Sequence, residues 1–222
     1  MKKVKTTELF DLTKTMASEY LSQFDHPWEA LGGIKEFLFK IGPSLPKSEF
    51  DNTAEGVWIH KSAKVAPTAF IGAPCIIDEG AEIRHCAFIR GSALIGKEAV
   101  VGNSVEVKNA ILFDKATVPH FNYVGDSVLG WRAHMGAGAV TSNVKSDKTL
   151  VVLKGTDEGD IETGLKKFGA MVGDCTEVGC NSVLNPGSVL GKNCTVYPTS
   201  CFRGVLPANS IYKDSHNIVE RR

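Results

Sequence analysis

A six-residue repeat of large apolar side chains runs through most of the chain and restricts its fold more than any other feature. Every sixth residue of one stretch is large and apolar, in the series Ile59, Val65, Ile71, Ile77, Ile83, Ile89, Ile95, Val101, Val107 and Phe113. The frame then shifts to Val118, Val124, Leu129 and Met135, and the repeat returns from Val172 to Phe202. Helices repeat every 3.6 residues or so and strands every second residue, so neither explains this pattern. A β-helix built from hexapeptides does.

Small residues follow the large ones at a fixed distance of four positions, as at Ala63, Ala69 and Cys75. In a hexapeptide β-helix the large side chain fills the interior and the small one fits near a corner. Glycine often follows the large residue, as at Gly96 and Gly102, where we expect a corner with positive φ. Three sides make one coil, so residues eighteen apart stack about 4.8 Å from each other. A β-sandwich with evenly spaced turns is the alternative, and ten phased positions argue against it.

The composition agrees with such a fold and excludes several partners. The 222 residues include 22 glycines and only 8% aromatic residues, and 25 basic residues balance 25 acidic ones. A neutral chain offers no bulk field for nucleic acid or an acidic membrane. No apolar stretch is long enough to span a bilayer, and no apolar region follows the basic start MKKVK. The six cysteines form no CxxC pair, so we expect free thiols in a cytoplasmic protein.

The ends of the chain lack the repeat. We predict a helical cap or arm over residues 1–56, the β-helix over 57–212 and a tail over 213–222. Trp28, Leu31, Ile34 and Leu38 have helical spacing behind Pro27. These helices would cap or flank the first coil, whose open edge invites aggregation, or serve as a docking arm. If they cover the coil, deleting residues 1–50 would expose apolar surface.

The repeat is also lost for about thirty residues, over about 142–171. We predict a loop that leaves the β-helix there and returns to it. Loops of this length in compact domains are usually functional. This loop is therefore expected to supply one wall of a pocket.

The block VGNSVEVKNAILFDKATVPHFNYVGDSVLGWRAHMGAGAVTSN, residues 101–143, carries the most specific motif. It resembles the acetyltransferase domain of the bifunctional N-acetylglucosamine-1-phosphate uridyltransferase/glucosamine-1-phosphate acetyltransferase. Later stretches, LKKFGAMVGD and PANSIY, resemble the corresponding domain of archaeal sugar-phosphate nucleotidylyltransferases. The resemblance covers about residues 57–213. It implies a mainly-β fold, a left-handed parallel β-helix with a short α-helical N-terminal segment, and a homotrimer with sites between subunits.

The resemblance assigns roles to individual residues. It implies that His120 is the catalytic base and that acetyl-CoA is the co-substrate, with no metal required. Ala137 and Lys213 fall on cofactor-binding positions. The substrate-binding positions are Arg90, Lys108, Tyr123, His134, Asn143 and Lys148. His134 stands where the bacterial family has an asparagine that contacts the amino sugar, so the substrate need not be the family's own.

The chemistry of these residue types agrees with that assignment. A thioester acetylates only a neutral amine, and histidine, with a pKa near 6.5, is the natural base at neutral pH. Backbone N–H groups around Met135–Gly138 are expected to stabilise the oxyanion. Arg90 and Lys108 would bind a phosphate, and their spacing of eighteen places them on one face.

The sequence thus predicts an acetyl-CoA-dependent N-acetyltransferase for an amino-sugar phosphate, most simply an amino-sugar 1-phosphate. The alternative is a non-catalytic protein that binds sugar nucleotides or acts as a trimeric scaffold. Nucleotidyltransferase activity is not expected, because residues 1–56 contain no glycine-rich nucleotide loop. Zinc-dependent CO₂ hydration is disfavoured, because no two of His60, His85, His120 and His134 are five residues apart.

Overall fold

The computed structural model describes residues 2–221 and is a left-handed parallel β-helix with a helical segment in front of it. Met1 of the predicted N-terminal segment and Arg222 of the predicted tail lie outside these residues. The predicted fold class is confirmed.

The helical segment is made of short elements. The α-helices are α1 (Thr6–Leu9), α2 (Ser18–Leu21) and α3 (Ile34–Ile41), and 3₁₀ turns cover Leu12–Lys14, Pro27–Gly33 and Gly42–Ser44. The single helix expected behind Pro27 is thus divided at Gly33, where the 3₁₀ turn ends and α3 begins. Two adjacent glycines weaken a helix interior by about 1 kcal/mol each, which accounts for the break.

The strands are short and follow one another around the coil. They are β1 (Phe50–Ala54), β2 (Val57–His60), β3 (Lys64–Val65), β4 (Phe70–Ile71), β5 (Cys75–Ile77), β6 (Glu82–Ile83), β7 (Phe88–Ile89), β8 (Ala93–Ile95), β9 (Val100–Asn103), β10 (Glu106–Leu112), β11 (Thr117–His120), β12 (Tyr123–Leu129), β13 (His134–Met135), β14 (Val140–Thr141), β15 (Val152–Thr156), β16 (Gly159–Glu162), β17 (Ala170–Val172), β18 (Glu177–Val178), β19 (Val183–Leu184), β20 (Ser188–Leu190), β21 (Thr195–Val196), β22 (Cys201–Phe202), β23 (Val205–Leu206), β24 (Ser210–Asp214) and β25 (Asn217–Glu220).

Parallel pairing between successive coils creates three faces. Face 1 contains β2, β5, β8, the second half of β10, the second half of β12, β17, β20 and β23. Face 2 contains β3, β6, β9, β11, β13, β18, β21 and β24. Face 3 contains β4, β7, the first half of β10, the first half of β12, β14, β19 and β22.

The interior of the β-helix follows the predicted period with one correction. Leu112, and not Phe113, pairs with Ile95 on one side and Leu129 on the other, and belongs to the interior cluster. Phe113 lies outside it, with its ring centroid 5.1 Å from that of Phe10 in the helical segment. The one-residue shift therefore falls before Leu112. The sequence could not locate it, because both residues are large and apolar.

The glycines that follow the large residues have a different role from the one expected. The positive φ at the corners is adopted largely by other residue types, as at Cys86, Asn109 and Phe121. Gly102 has no positive φ, but a Cβ there would overlap the carbonyl oxygen of Pro119 in the next coil. Gly102 is required because the coils approach closely.

The helical segment covers face 1. One outward residue of each strand on this face is apolar and buried, in the series Trp58, Ile76, Leu94, Ile111, Val128, Met171, Val189 and Val205. They pack against Leu9, Phe10, Trp28, Ile34 and Leu38 of the helical segment. The strands of a parallel sheet that is buried on both sides are apolar throughout. On face 1 these strands are CII (75–77), ALI (93–95) and AIL (110–112). The strands of faces 2 and 3 contribute no residue to this cluster.

The helices flank the β-helix and leave its first coil open. Val65, an interior position of that coil, is 36% exposed, and the interior Ile71 is only partly buried. The other end is completed by the antiparallel hairpin of β24 and β25, so a strand crosses the predicted boundary at residue 212. The loop between β14 and β17 contains the hairpin of β15 and β16, which touches the helical segment through Glu158 and His26.

Candidate functional site

Face 3 brings two predicted phosphate-binding residues together. Arg90 and Lys108 follow the paired residues Ile89 and Val107 in neighbouring strands, so they stack as their spacing indicates. Arg90 Nη1 lies 2.7 Å from Glu106 Oε1, an ion pair with both side chains partly exposed. Lys108 Nζ lies 3.5 Å from Asp126 Oδ2. Both cations therefore have a carboxylate partner within the chain.

Tyr123 lies beside this pair at the start of β12. A Cβ at Gly125 would overlap the phenol oxygen of Tyr123, so the glycine makes room for the ring on the surface of face 3. Burial raises the pKa of Tyr123, and the negative charges of Asp126 and Glu106 act in the same direction. The phenol therefore stays protonated at neutral pH and is available as a hydrogen-bond donor.

Asp126 links several elements at the corner between face 3 and face 1. Its side chain is almost completely buried, with the residue 4% exposed. Its Oδ1 accepts a hydrogen bond of 2.8 Å from Asn109 Nδ2, and its Oδ2 accepts one from Asn143 Nδ2. Asn143 also anchors the returning loop, because its carbonyl accepts the N–H of Phe168 at 3.0 Å.

His120 lies at the other end of face 3, at the corner with face 2. It pairs with Asn103, and its carbonyl oxygen accepts the N–H of Gly138 in the next coil at 3.0 Å. Its side chain is exposed. Ala137, the predicted acetyl-CoA contact, is the residue next to that Gly138. The structure thus brings His120 and Ala137 together in adjacent coils.

The Met135–Gly138 corner offers fewer free donors than its sequence indicates. The N–H of Gly136 donates to the Val178 carbonyl at 2.7 Å, and that of Gly138 to His120. Among residues 2–221 the N–H of Ala137 has no acceptor. Ala137 is therefore the donor that this corner leaves available for a developing negative charge.

Asn122 braces this corner from inside the β-helix. The residue is 3% exposed and occupies a position where most coils have a small side chain. Its Oδ1 accepts the N–H of His120 at 3.1 Å, and its Nδ2 donates to the carbonyls of Gly136 at 2.7 Å and Ala139 at 3.0 Å. Asn122 holds the backbones of the histidine and the glycine-rich corner in one arrangement.

We call Arg90, Glu106, Lys108, Tyr123, Asp126 and Asn143 the face-3 cluster. Three predicted site residues lie away from it: His134, Lys148 and Lys213. His134 lies on face 2, with Nδ1 2.7 Å from Thr117 Oγ1. Lys148 is exposed in the loop and has positive φ. Lys213 lies over the Tyr197 ring at 5.9 Å. It lies four strands along face 2 from His120, or about 19 Å at the usual strand spacing.

A groove of about 1330 Å³ runs between the loop and the last coils. Leu150, Val152, Arg203 and Ile218 are among the residues that line it. The loop therefore forms a wall, but of a groove whose lining includes neither His120 nor the face-3 cluster.

Asn122, Asp126 and Glu106 also belong to this region, and none of them is among the predicted site residues. The motif contains all three: Glu106 alternates with Lys108 in VEVK, and Asp126 follows Tyr123 by three residues in NYVGD. Alternation in strands places Glu106 and Lys108 on the same side, so Glu106 had a readable signal. The partners of Asn122 and Asp126 lie in neighbouring coils and required the structure.

Within the described residues, no three His, Cys, Asp or Glu side chains come together as a metal-binding group. No helix in residues 2–221 is long and apolar enough to cross a membrane.

Known proteins share this sequence pattern. A family model described as the GMPPB C-terminal domain matches residues 71–157. The bifunctional protein GlmU of Methanococcus maripaludis is 29% identical over 208 residues, which is 91% of this chain and 50% of that protein. The uncharacterized acetyltransferase YaiX of Escherichia coli strain K12 is 31% identical over 160 residues, covering 72% of this chain and 69% of that protein.

A solved structure of GDP-perosamine N-acetyl transferase from Caulobacter crescentus, a mutant in complex with CoA and GDP-perosamine, is a looser match. It is 18% identical, with 85% of this chain and 65% of that chain covered and a TM-score of 0.32.

The fold places this chain among the hexapeptide-repeat β-helix proteins. The chain belongs to the acetyltransferase family that includes YaiX. It spans about half the length of the GlmU proteins it matches, and the match fits their C-terminal acetyltransferase domain alone.

Proposed function

We propose that this protein transfers the acetyl group of acetyl-CoA to the amine of an amino-sugar phosphate, most simply an amino-sugar 1-phosphate. The observation that supports this most is the arrangement along face 3. His120 and Ala137 lie at one corner, while Arg90 and Lys108 lie farther along the same face. A sugar bound across the face would present its amine at one end and its phosphate at the other.

His120 acts as the general base in this proposal. The amine nitrogen attacks the thioester carbonyl carbon, so a C–N bond forms and a proton leaves the nitrogen for the imidazole. The C–S bond then breaks, and the imidazole returns the proton to the leaving CoA thiolate. The exposed side chain of His120 leaves it free to meet a substrate. A positioned base of this kind contributes about 10²–10⁴ in rate.

Ala137 supplies the donor for the oxyanion of the tetrahedral intermediate. Its N–H has no acceptor among the described residues, whereas the neighbouring N–H groups of Gly136 and Gly138 do. A donor already in place costs no reorganisation when the charge develops.

The charges of face 3 favour a ligand that carries both signs. Two cations, Arg90 and Lys108, lie among two carboxylates, Glu106 and Asp126. A phosphate would take the cations, and the ammonium form of the amine would be held near Glu106 before it loses its proton. Tyr123 and Asn143 border the cluster, and we assign them hydrogen bonds to the sugar.

The remaining assignments follow from where the other residues lie. His134 on face 2, Lys148 in the loop and Lys213 near the chain end are too widely spread to meet one small substrate within one copy. We therefore propose a homotrimer in which face 2 of one copy meets face 3 of another, with Lys213 near the cofactor and His134 and Lys148 near the sugar. We propose that it works in the cytoplasm and needs no metal ion.

The test is acetyl transfer to glucosamine 1-phosphate and related amino-sugar phosphates by the wild type and by His120→Ala. His85→Ala is a matched control, because His85 is exposed two coils away in the same corner column. His120→Ala should lose about 10²–10⁴ of kcat with unchanged thermal unfolding, and His85→Ala should keep its activity. Wild-type turnover in His120→Ala would contradict the base assignment.

A thermal-shift screen separates the enzyme from a non-catalytic sugar-nucleotide-binding or scaffold protein. A ligand at a hundred times its Kd adds about 2.7 kcal/mol to stability. Stabilisation by coenzyme A is expected for the enzyme. Stabilisation by sugar nucleotides alone, without acetyl transfer to any amino-sugar phosphate, would favour the alternative.

A further inference from the structure

Asp126 is the buried carboxylate of the face-3 cluster. Asp126 is 4% exposed, whereas the side chain of Glu106 is 35% exposed. Burying a charged carboxylate is unfavourable unless partners satisfy it. The partners of Asp126 come from different coils. Asn109 and Asn143 each donate to one of its oxygens, and Lys108 Nζ lies 3.5 Å from Oδ2.

Two of these partners are residues that we assign to substrate binding. Lys108 is the less exposed of the two cations, at 25% of its side chain against 45% for Arg90. A lysine side chain has several rotatable bonds, and a fixed buried charge limits where its ammonium group lies. Asn143 is similarly oriented, because the Asp126 carboxylate requires its NH₂ group and so leaves its amide oxygen directed elsewhere.

Asp126 also connects these residues to the rest of the molecule. Its carbonyl accepts the N–H of Gly169 at 2.8 Å, where the loop rejoins the β-helix. Asn109 Nδ2 donates to the carbonyl of Leu31 at 3.1 Å as well as to Asp126 Oδ1. Asn109 therefore links Asp126 to the helical segment. The carboxylate is therefore held from several sides and has little freedom to move.

We propose that Asp126 is a positioning residue for the sugar phosphate: it holds Lys108 and Asn143 in the orientation that binds the substrate, without touching the substrate itself. This inference rests on the proposed function. It gives the buried Asp126 carboxylate a role in substrate binding in addition to its role in holding the fold together.

The chain contains a matched control for this proposal. Asp174 is also 4% exposed, and its Oδ2 lies 3.2 Å from Lys192 Nζ. It accepts the N–H groups of Trp131 at 2.8 Å and Asp11 at 2.6 Å, so it too ties the helical segment to the β-helix. Asp174 lies at the corner between faces 1 and 2, away from the face-3 cluster. Asp174→Asn therefore reports the cost of losing a buried, paired carboxylate in general.

The experiment compares steady-state kinetics of the wild type, Asp126→Asn and Asp174→Asn below the unfolding temperature of all three. Asp126→Asn should raise KM for the amino-sugar phosphate by about tenfold or more, because two donors lose a charged acceptor. KM for acetyl-CoA should change by less than about twofold in both variants. Equal effects of the two substitutions on KM for the sugar phosphate would overturn the proposal.

A second comparison tests whether Asp126 acts through its partners. In a Lys108→Ala/Asn143→Ala background, adding Asp126→Asn should change KM for the sugar phosphate by less than about twofold. A full additional loss in that background would overturn the proposal. If Asp126→Asn does not fold, Asp126→Glu replaces it, since it retains the charge but displaces it by one methylene. An unchanged KM for the sugar phosphate in Asp126→Glu would also overturn it.

The two proposals fail in different ways. If the wild type acetylates no amino-sugar phosphate, the proposed function fails and the role of Asp126 fails with it. If the wild type is active and Asp126→Asn behaves like Asp174→Asn, the positioning role alone is wrong.

Discussion

Asn122 joins His120 to the Met135–Gly138 corner, because its Oδ1 accepts the N–H of His120 at 3.1 Å while its Nδ2 donates to the carbonyl of Gly136 at 2.7 Å. The side chain has one acceptor and two donor hydrogens in use, so it is fully satisfied inside the β-helix. The distance between the proposed base and the proposed oxyanion donor thus depends on a buried residue.

Asn122→Ala should lower both stability and turnover. Removing the amide leaves buried backbone groups without partners, which costs about 1–3 kcal/mol. It also frees the His120 backbone, so we expect kcat to fall by about tenfold or more. Urea unfolding and steady-state kinetics measure the two effects.

Thr176→Ala is the control for Asn122→Ala. Thr176 is fully buried, and its Oγ1 donates to the Gly191 carbonyl at 2.7 Å in a comparable inward position away from His120. This variant should lose stability but keep kcat within about twofold. A wild-type kcat in Asn122→Ala would show that the corner keeps its geometry without the amide.

Asp78, at the corner between faces 1 and 2, makes the free energy of unfolding depend on pH. The residue is 3% exposed, and its Oδ2 has no hydrogen-bond partner among the described residues. Burial raises the pKa of Asp78 above its ordinary 3.8, although Lys97 and His60 act in the opposite direction. The folded protein therefore holds this proton more tightly than the unfolded chain does. The contribution of Asp78 to stability is complete below pH 3.8 and is lost as pH rises through the folded pKa.

Asp78→Asn should accordingly gain stability relative to the wild type as pH increases. We expect the difference in free energy of unfolding between variant and wild type to grow from pH 4 to about pH 7. Urea unfolding at several pH values measures it, with the exposed Asp51→Asn as control. A difference that stays constant, or shrinks, as pH rises would contradict the assignment.

Gly102 should be among the least replaceable residues of the β-helix. A Cβ at this position would overlap the Pro119 carbonyl oxygen in the backbone of the next coil, which cannot move aside as a flexible side chain can. We expect Gly102→Ala to lose at least about 3 kcal/mol of stability or fail to fold.

Gly32→Ala provides the opposite expectation with the same chemical change. Nothing lies within 4 Å of a Cβ at Gly32, and its φ is not positive. Alanine there should be neutral or stabilise the protein by up to about 1 kcal/mol. Thermal unfolding of the two variants decides the matter, and similar losses in both would refute the close-approach explanation for Gly102.

Parts of the site could be predicted from the sequence because the β-helix converts spacing into position. Arg90 and Lys108 are eighteen residues apart and stack on neighbouring strands of face 3. The resemblance around His120 implied a cofactor contact at Ala137, and Ala137 precedes Gly138, whose N–H donates to the His120 carbonyl. Asp126 and Asn122 escaped prediction, because most of their hydrogen bonds join them to groups 14 to 17 residues away in neighbouring coils.

The sequence by itself determined the β-helix, its interior and the position of the loop. Burial of one large apolar side chain every six residues is a strong and local constraint, and only a repeating coil satisfies it. The tertiary structure alone decided the register at Leu112, the covering of face 1 by the helical segment and the pairing of Lys108 with Asp126. These three features depend on contacts between segments that are distant in the sequence. The free energies of such contacts are set by how whole elements pack, so a local sequence pattern does not predict them.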